Sequence, residues 1–192
     1  MKRSLDIAGS LLLLLCGAPL LLACALAVRL SSPGPIVFPQ RRLGLRGRPF
    51  LLYKFRTMIH NAPDLRNPDG SAVCAGDDPR VTRTGRFLRQ SSLDELPQLW
   101  NVLRGDMSLV GPRPDLVDQL SYYTPEEHRK LDVKPGLTGL AQIGGRNRIS
   151  WAARKQLDIA YVETHSLLLD CRILILTIPY VLRRRDINAG TQ

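Results

Sequence analysis

Twenty-two consecutive residues, Ile7 to Val28, carry no charged side chain. As a helix they would reach roughly 33 Å at about 1.5 Å per residue, enough to cross the hydrocarbon of a bilayer. A cleaved signal peptide fits the basic start, Lys2-Arg3, but the apolar stretch is long for one. The small-residue triplet Ala23-Cys24-Ala25 is followed by more apolar chain, not by a polar mature terminus. A straight spanning helix and a helix that enters and returns remain. Beyond the block, Arg29 to Pro63 holds Arg29, Arg41, Arg42, Arg46, Arg48, Lys54 and Arg56 with no acid. Basic flanks prefer the cytoplasmic side. A spanning helix puts one flank there and a re-entrant helix both. Gly17-Ala18-Pro19 lies near the centre, and a proline there bends or breaks a helix by removing an N–H and crowding the carbonyl of Leu15. These features leave both topologies open.

The rest of the chain reads as a helix-rich α+β unit with a small β-hairpin. Two regions are expected: a membrane helix over 1–30 and a second domain over 31–192, which the resemblance given below would make the catalytic one. Ile36 to Gln40 and Phe50 to Met58, rich in β-branched and aromatic residues, flank a Gly-containing turn and predict the hairpin. Leu93, Leu96, Trp100 and Leu103 keep helical spacing. Ser92-Leu93-Asp94-Glu95 reads as a capping box, placing both acids in a first helical turn. Thr124-Pro125-Glu126-Glu127 reads as a second box. Lys134 to Asn147 is glycine-rich and predicts a loop. Trp151 to Arg185 predicts helix, its apolar end suiting either an interfacial helix or a buried one.

Lysines and arginines outnumber acids 27 to 17, a net charge of +10, so anionic partners are expected. Nucleic acid is disfavoured: aromatics are 6% of the chain and are not interleaved with the basic clusters. The four cysteines and three histidines form no metal pattern, and no Walker or dinucleotide-binding glycine motif is present. Attention falls on Asp94 and Glu95. Adjacent acids on a helix point about 100° apart and so do separate jobs. An acid at a helix N-terminus is expected to stay ionised, able to attack phosphorus or hold Mg²⁺. The bland alternative is two ordinary first-turn acids. Their company argues otherwise. Arg83, Arg86 and Arg89 precede them, and Pro112-Arg113-Pro114 and the loop Gly144 to Arg148 follow, supplying the forks and backbone N–H groups a diphosphate needs.

Several segments together resemble the bacterial sugar transferase family of monotopic phosphoglycosyl transferases, in its minimal catalytic form. They are Lys2 to Asp6; Ser32-Pro33-Gly34-Pro35 with Gln40, Arg42 and Gly44; Tyr53 to Met58; the unbroken run Ser92 to Pro114; Lys134 to Gly139; and Gly145-Arg146-Asn147. The resemblance implies transfer of a sugar-1-phosphate from a UDP-sugar to polyprenyl phosphate, with UMP released. Asp94 would be the nucleophile and a Mg²⁺ ligand, and Glu95 its polar or acid/base partner. Arg89, Arg113, Arg146, Lys54, Arg56 and Asn147 would bind phosphate or nucleotide. It also implies interfacial amphipathic helices, a re-entrant helix broken at Ala18-Pro19, an anionic bilayer as partner and a site on the cytoplasmic face of the bacterial inner membrane. A homodimer, the particular sugar and the pathway stay open. The rival from another class is a non-catalytic basic adaptor attached to a membrane, binding anionic lipid or nucleic acid.

Overall fold

In the computed structural model, which describes residues 1–65, 78–145 and 149–182, the uncharged block becomes helix α1, Lys2–Ser31. Its buried residues are Asp6, Ser10, Cys24 and Val28, and Leu14, Leu21 and Ala25 pack partly buried between them. Those positions recur every three, four or seven residues and form one stripe. The rest of the circumference is equally apolar and lies exposed: Leu12, Leu15 and Leu22 are 61%, 66% and 72% accessible. Ala18-Pro19 does not break this helix, which runs helical through both. One missing N–H leaves the ladder intact on either side, so proline's effect here is limited to a bend at most.

Both ends of α1 dock on the same body. At the start, Asp6 Oδ1 accepts from the Ser108 hydroxyl and the Leu109 backbone N–H, each at 2.9 Å. Arg3 donates to the carbonyls of Val102 and Leu103, and Lys2 pairs with Asp170. At the far end, Arg56 donates to the Ser32 carbonyl at 2.6 Å and the Ser32 hydroxyl at 3.1 Å.

The hairpin forms as expected, from β1, Val37–Leu43, and β2, Pro49–Phe55, in register from Val37 opposite Phe55 to Leu43 opposite Pro49. Asn101, fully buried, closes the outer edge of β2. Its oxygen accepts from the Tyr53 N–H at 3.0 Å and its amide donates to the Leu51 carbonyl at 2.7 Å. Helix α2, Arg83–Ser91, is capped by the Thr82 hydroxyl, and α3, Gln98–Arg104, ends in a left-handed glycine, Gly105. The stretch read as a glycine-rich loop contains strand β4, Gly136–Thr138, parallel to β3, Ser108–Val110, and a short helix α4, Leu140–Ile143. Three-residue strands are too short to show a period of two. Here glycine permits contact: a Cβ on Gly136 would lie 2.0 Å from the Gly111 nitrogen. Helices α5, Trp151–Thr164, and α6, Leu167–Leu182, occupy the region predicted helical. Arg183 to Arg185 lie outside the described residues.

Two apolar clusters result. One gathers Leu52, Leu99, Val102, Met107, Val110, Tyr161 and Ile173. The other gathers Cys24 and Val28 of α1 with Phe55 and Leu88. The outer face of α6 leaves Leu168, Ile175 and Ile178 exposed.

Candidate active site

Asp94 and Glu95 do not sit in the first turn of an α-helix. They lie on a single 3₁₀ turn, Leu93–Glu95, between α2 and α3, entered through Ser92 in the left-handed conformation at φ 58°. Ser92 makes no side-chain cap, so the first capping box is absent, and Pro97 precedes the true start of α3. The second box does form, between Thr124 and Glu127, but it opens a 3₁₀ segment, Glu127–Asp132. Packing explains the Leu93–Glu95 turn. Leu93 points into the cluster at the end of α1, while Leu96 points into the main core. Apolar anchors in two directions hold the two residues between them at the surface.

The turn is ringed with cations. Lys54 comes from β2, Arg89 from α2 and Arg113 from the loop after β3. Arg89 is placed by a close approach: Gly85 lies against the backbone of Thr57, where a Cβ would fall 1.9 Å from the Thr57 oxygen. Arg89 Nε then donates to the Thr57 hydroxyl at 2.9 Å. Arg113 reaches Glu95 in a forked pair, at 2.6 Å and 3.4 Å, and the carboxylate holds that guanidinium's pKa above its ordinary value. Behind Arg113, buried Lys130 bridges Asp115 at 2.7 Å and Asp158 at 2.8 Å, and the Tyr123 hydroxyl donates to Asp115. Sequence reading missed this support. Its members are far apart in the chain, and no local spacing links them.

Asp94 itself makes no hydrogen bond or ion pair among the described residues. Half-buried and beside Glu95, its carboxyl is pushed from the usual 3.8 up to about 7, against the pull of Lys54, Arg89 and Arg113. Lys54 is driven down to about 8 by burial and by Arg42, with Asp94 opposing. The expectation that a helix terminus keeps Asp94 firmly ionised therefore fails, because burial and a like charge outweigh the dipole of a single turn.

Of the predicted site residues, the structure brings Asp94, Glu95, Lys54, Arg89 and Arg113 together. It does not bring Arg56: that guanidinium is 5% exposed and turned to the end of α1. Arg83 and Arg86 face solvent. Arg146 and Asn147 lie outside the described residues. Among the described residues no three His, Cys, Asp or Glu side chains converge as a metal cage, and Cys16, Cys24 and Cys171 are unpaired. Mg²⁺ commonly takes only one or two carboxylates, completing its shell with water and substrate phosphate. A free carboxylate beside an Arg-paired one fits that mode and not a dedicated protein site.

Comparison with known proteins finds relatives over nearly the whole chain. The family model described as bacterial sugar transferase matches residues 1–184. A sugar transferase of Bacillus subtilis, EpsL, is 49% identical over 182 residues, covering 95% of this chain and 87% of the relative. The UDP-glucose:undecaprenyl-phosphate glucose-1-phosphate transferase of Caulobacter vibrioides is 49% identical over 189 residues, covering 94% and 69%. The undecaprenyl-phosphate galactose phosphotransferase of Salmonella typhimurium is 41% identical, covering 96% of this chain and 41% of the relative. With a match over nearly its whole length, and with Lys54, Arg89, Asp94, Glu95 and Arg113 of the matching motifs gathered into one pocket of charge, the chain belongs to the bacterial sugar transferase family.

Proposed function

We propose that the protein transfers a sugar-1-phosphate from a UDP-sugar to polyprenyl phosphate in two displacements at Asp94. One observation carries the reading: a half-buried carboxylate without a partner among the described residues, inside a ring of three cations. A structural acid in such a ring would be paired. In the first step an Asp94 oxygen attacks the β-phosphorus, the bond from that phosphorus to the bridging oxygen breaks, and UMP leaves with the electron pair. The aspartyl-phosphosugar is then attacked by a phosphate oxygen of the polyprenyl phosphate, which returns the Asp94 carboxylate and releases polyprenyl-diphospho-sugar. Lys54, Arg89 and Arg113 stabilise charge on the phosphoryl oxygens, and Glu95 acts through Arg113 by fixing its fork. Asp94 would hold Mg²⁺, which supplies charge neutralisation on the diphosphate.

The same reading places the protein at the cytoplasmic face of a bacterial inner membrane, with α1 returning to that face through a bend, not a break, at Ala18-Pro19. Two features support this. A helix docked to one body at both Asp6 and Ser32 has both ends on one side. Its uncovered apolar circumference needs lipid. Leu93, adjacent to Asp94, packs against the cluster that Cys24 and Val28 of α1 form with Phe55 and Leu88, which sets the reacting group near the far end of the apolar helix, where a lipid phosphate would arrive.

The test is UMP release from a panel of UDP-sugars, including UDP-glucose and UDP-galactose, with undecaprenyl phosphate and Mg²⁺. Release is expected with at least one donor, abolished by EDTA and lowered at least a thousandfold in Asp94→Asn, as for loss of a nucleophile. Turnover by Asp94→Asn close to that of the wild type would overturn the assignment of Asp94.

A further inference from the structure

The hairpin carries a feature that the charge ring alone does not explain. Opposite residues of an antiparallel pair share a face, so Gln40, Arg42, Phe50, Leu52 and Lys54 lie on the same side of the sheet. Phe50 and Leu52 pack into the main core. Three polar side chains therefore occupy the inward face, where an apolar residue would cost less. They converge. The Gln40 side-chain oxygen accepts from Arg42 Nη2 at 2.8 Å and from Lys54 Nζ at 3.3 Å. Both partners are pure donors, so the oxygen and not the amide nitrogen must face them. The second Arg42 fork, Nη1, donates to the Pro114 carbonyl at 3.1 Å, one residue from Arg113.

We propose that Gln40 is a positioning residue whose amide oxygen holds Arg42 and Lys54 as a fixed pair of cations, with Lys54 the member that faces Asp94, forming a clamp for the donor's diphosphate. The inference rests on the UDP-sugar reading above and adds a residue to it. Chemistry explains the choice of side chain. An apolar residue would leave two like charges to repel one another apart. A carboxylate would hold them but cancel the positive charge an anionic substrate seeks. A neutral oxygen orders both cations and leaves their charge available. The other groups facing Lys54 are Asp94 from the catalytic turn, Arg89 from α2, Arg113 from the loop after β3 and the Phe38 ring, 5.3 Å away.

Two variants pull the clamp in opposite directions. Competitive acetylation of the full-length protein in detergent, read by mass spectrometry across pH without substrate, follows Lys54 ionisation directly. In the wild type its midpoint is expected at about 8. It should fall in Gln40→Leu, which loses an acceptor, and rise in Gln40→Glu, which gains a counter-charge. In the same preparations the KM for the active UDP-sugar should rise about tenfold in both variants, by loss of order in one and of charge in the other. A merely structural role for Gln40 predicts no opposed shifts. Midpoints that coincide, or move together in both variants, overturn the clamp, as does an unchanged donor KM in Gln40→Leu. If the midpoints split as expected while the wild type releases UMP from no UDP-sugar, the pairing of cations stands and the donor reading falls.

Discussion

At the scale of single residues, the balance at Asp94 has a thermodynamic consequence. Its carboxyl titrates near 7 in the folded protein and at the ordinary 3.8 when exposed. Between those values the folded state keeps a proton that the unfolded state has lost, so stability declines as pH rises through that window and levels off above it. Replacing the group by a neutral isostere removes the penalty. In buffer with EDTA, Asp94→Asn should match the wild type in Tm near pH 4 and exceed it at pH 7.5 by about 2–4 °C. That corresponds to about 1 kcal/mol for a half-buried group in a chain of this size. Thermal melts at the two pH values check it; an equal Tm at both would show that the burial of Asp94 carries no cost. The pair Asp94-Glu95 was legible in the sequence because two acids stood amid arginines and prolines. Its electrostatics was not. Whether a carboxyl is ionised depends on Lys54, forty residues earlier, and on packing that no local pattern encodes. Arg56 shows the reverse error: one residue past β2 and two from Lys54, it has the same charge and opposite duty, because its side chain turns toward the end of α1.

At the scale of elements, what positions the site is a set of close contacts between backbones. Gly85 seats α2 on Thr57 and thereby delivers Arg89. Gly85→Ala pushes a methyl into that carbonyl and should cost about 1–3 kcal/mol by overpacking, lowering Tm by several degrees. It should depress UMP release more than a matched surface change such as Arg86→Ala, whose side chain is exposed. At the start of α1, Asp6→Ala leaves the Ser108 hydroxyl and the Leu109 N–H buried without an acceptor. A loss of about 1–3 kcal/mol is expected, with proteolysis beginning near residue 30. The hairpin and helices α5 and α6 were readable beforehand because each spans enough residues to display its period. Strand β4, the helix α4 and the 3₁₀ turn at Asp94 were not. They run three or four residues, and their geometry is imposed by partners elsewhere: Gly111 for β4, and two separate apolar clusters for the turn.

At the scale of the whole molecule, α1 is at once the most apolar element and part of the core, with Leu14 in one cluster and Cys24 and Val28 in the other. Under the re-entrant reading, epitope tags at the two ends of the chain should share one fate in intact cells, both shielded from a protease that cannot cross the inner membrane. A tag at residue 1 cut in spheroplasts while the one at residue 192 survives would instead mean a straight crossing. The docking of α1 also sets an order of assembly. The partners of its first turn, Ser108, Leu109 and Asp170, are more than a hundred residues later in the chain. At ribosomal rates of about 5–20 residues per second, they emerge on the order of ten seconds after the helix does. Throughout that interval the uncharged block has no protein surface to cover its stripe. On the membrane reading proposed above, the translocon or the bilayer receives it before the body exists, so insertion comes before the fold is complete, and delayed insertion would leave the chain to aggregate during its synthesis.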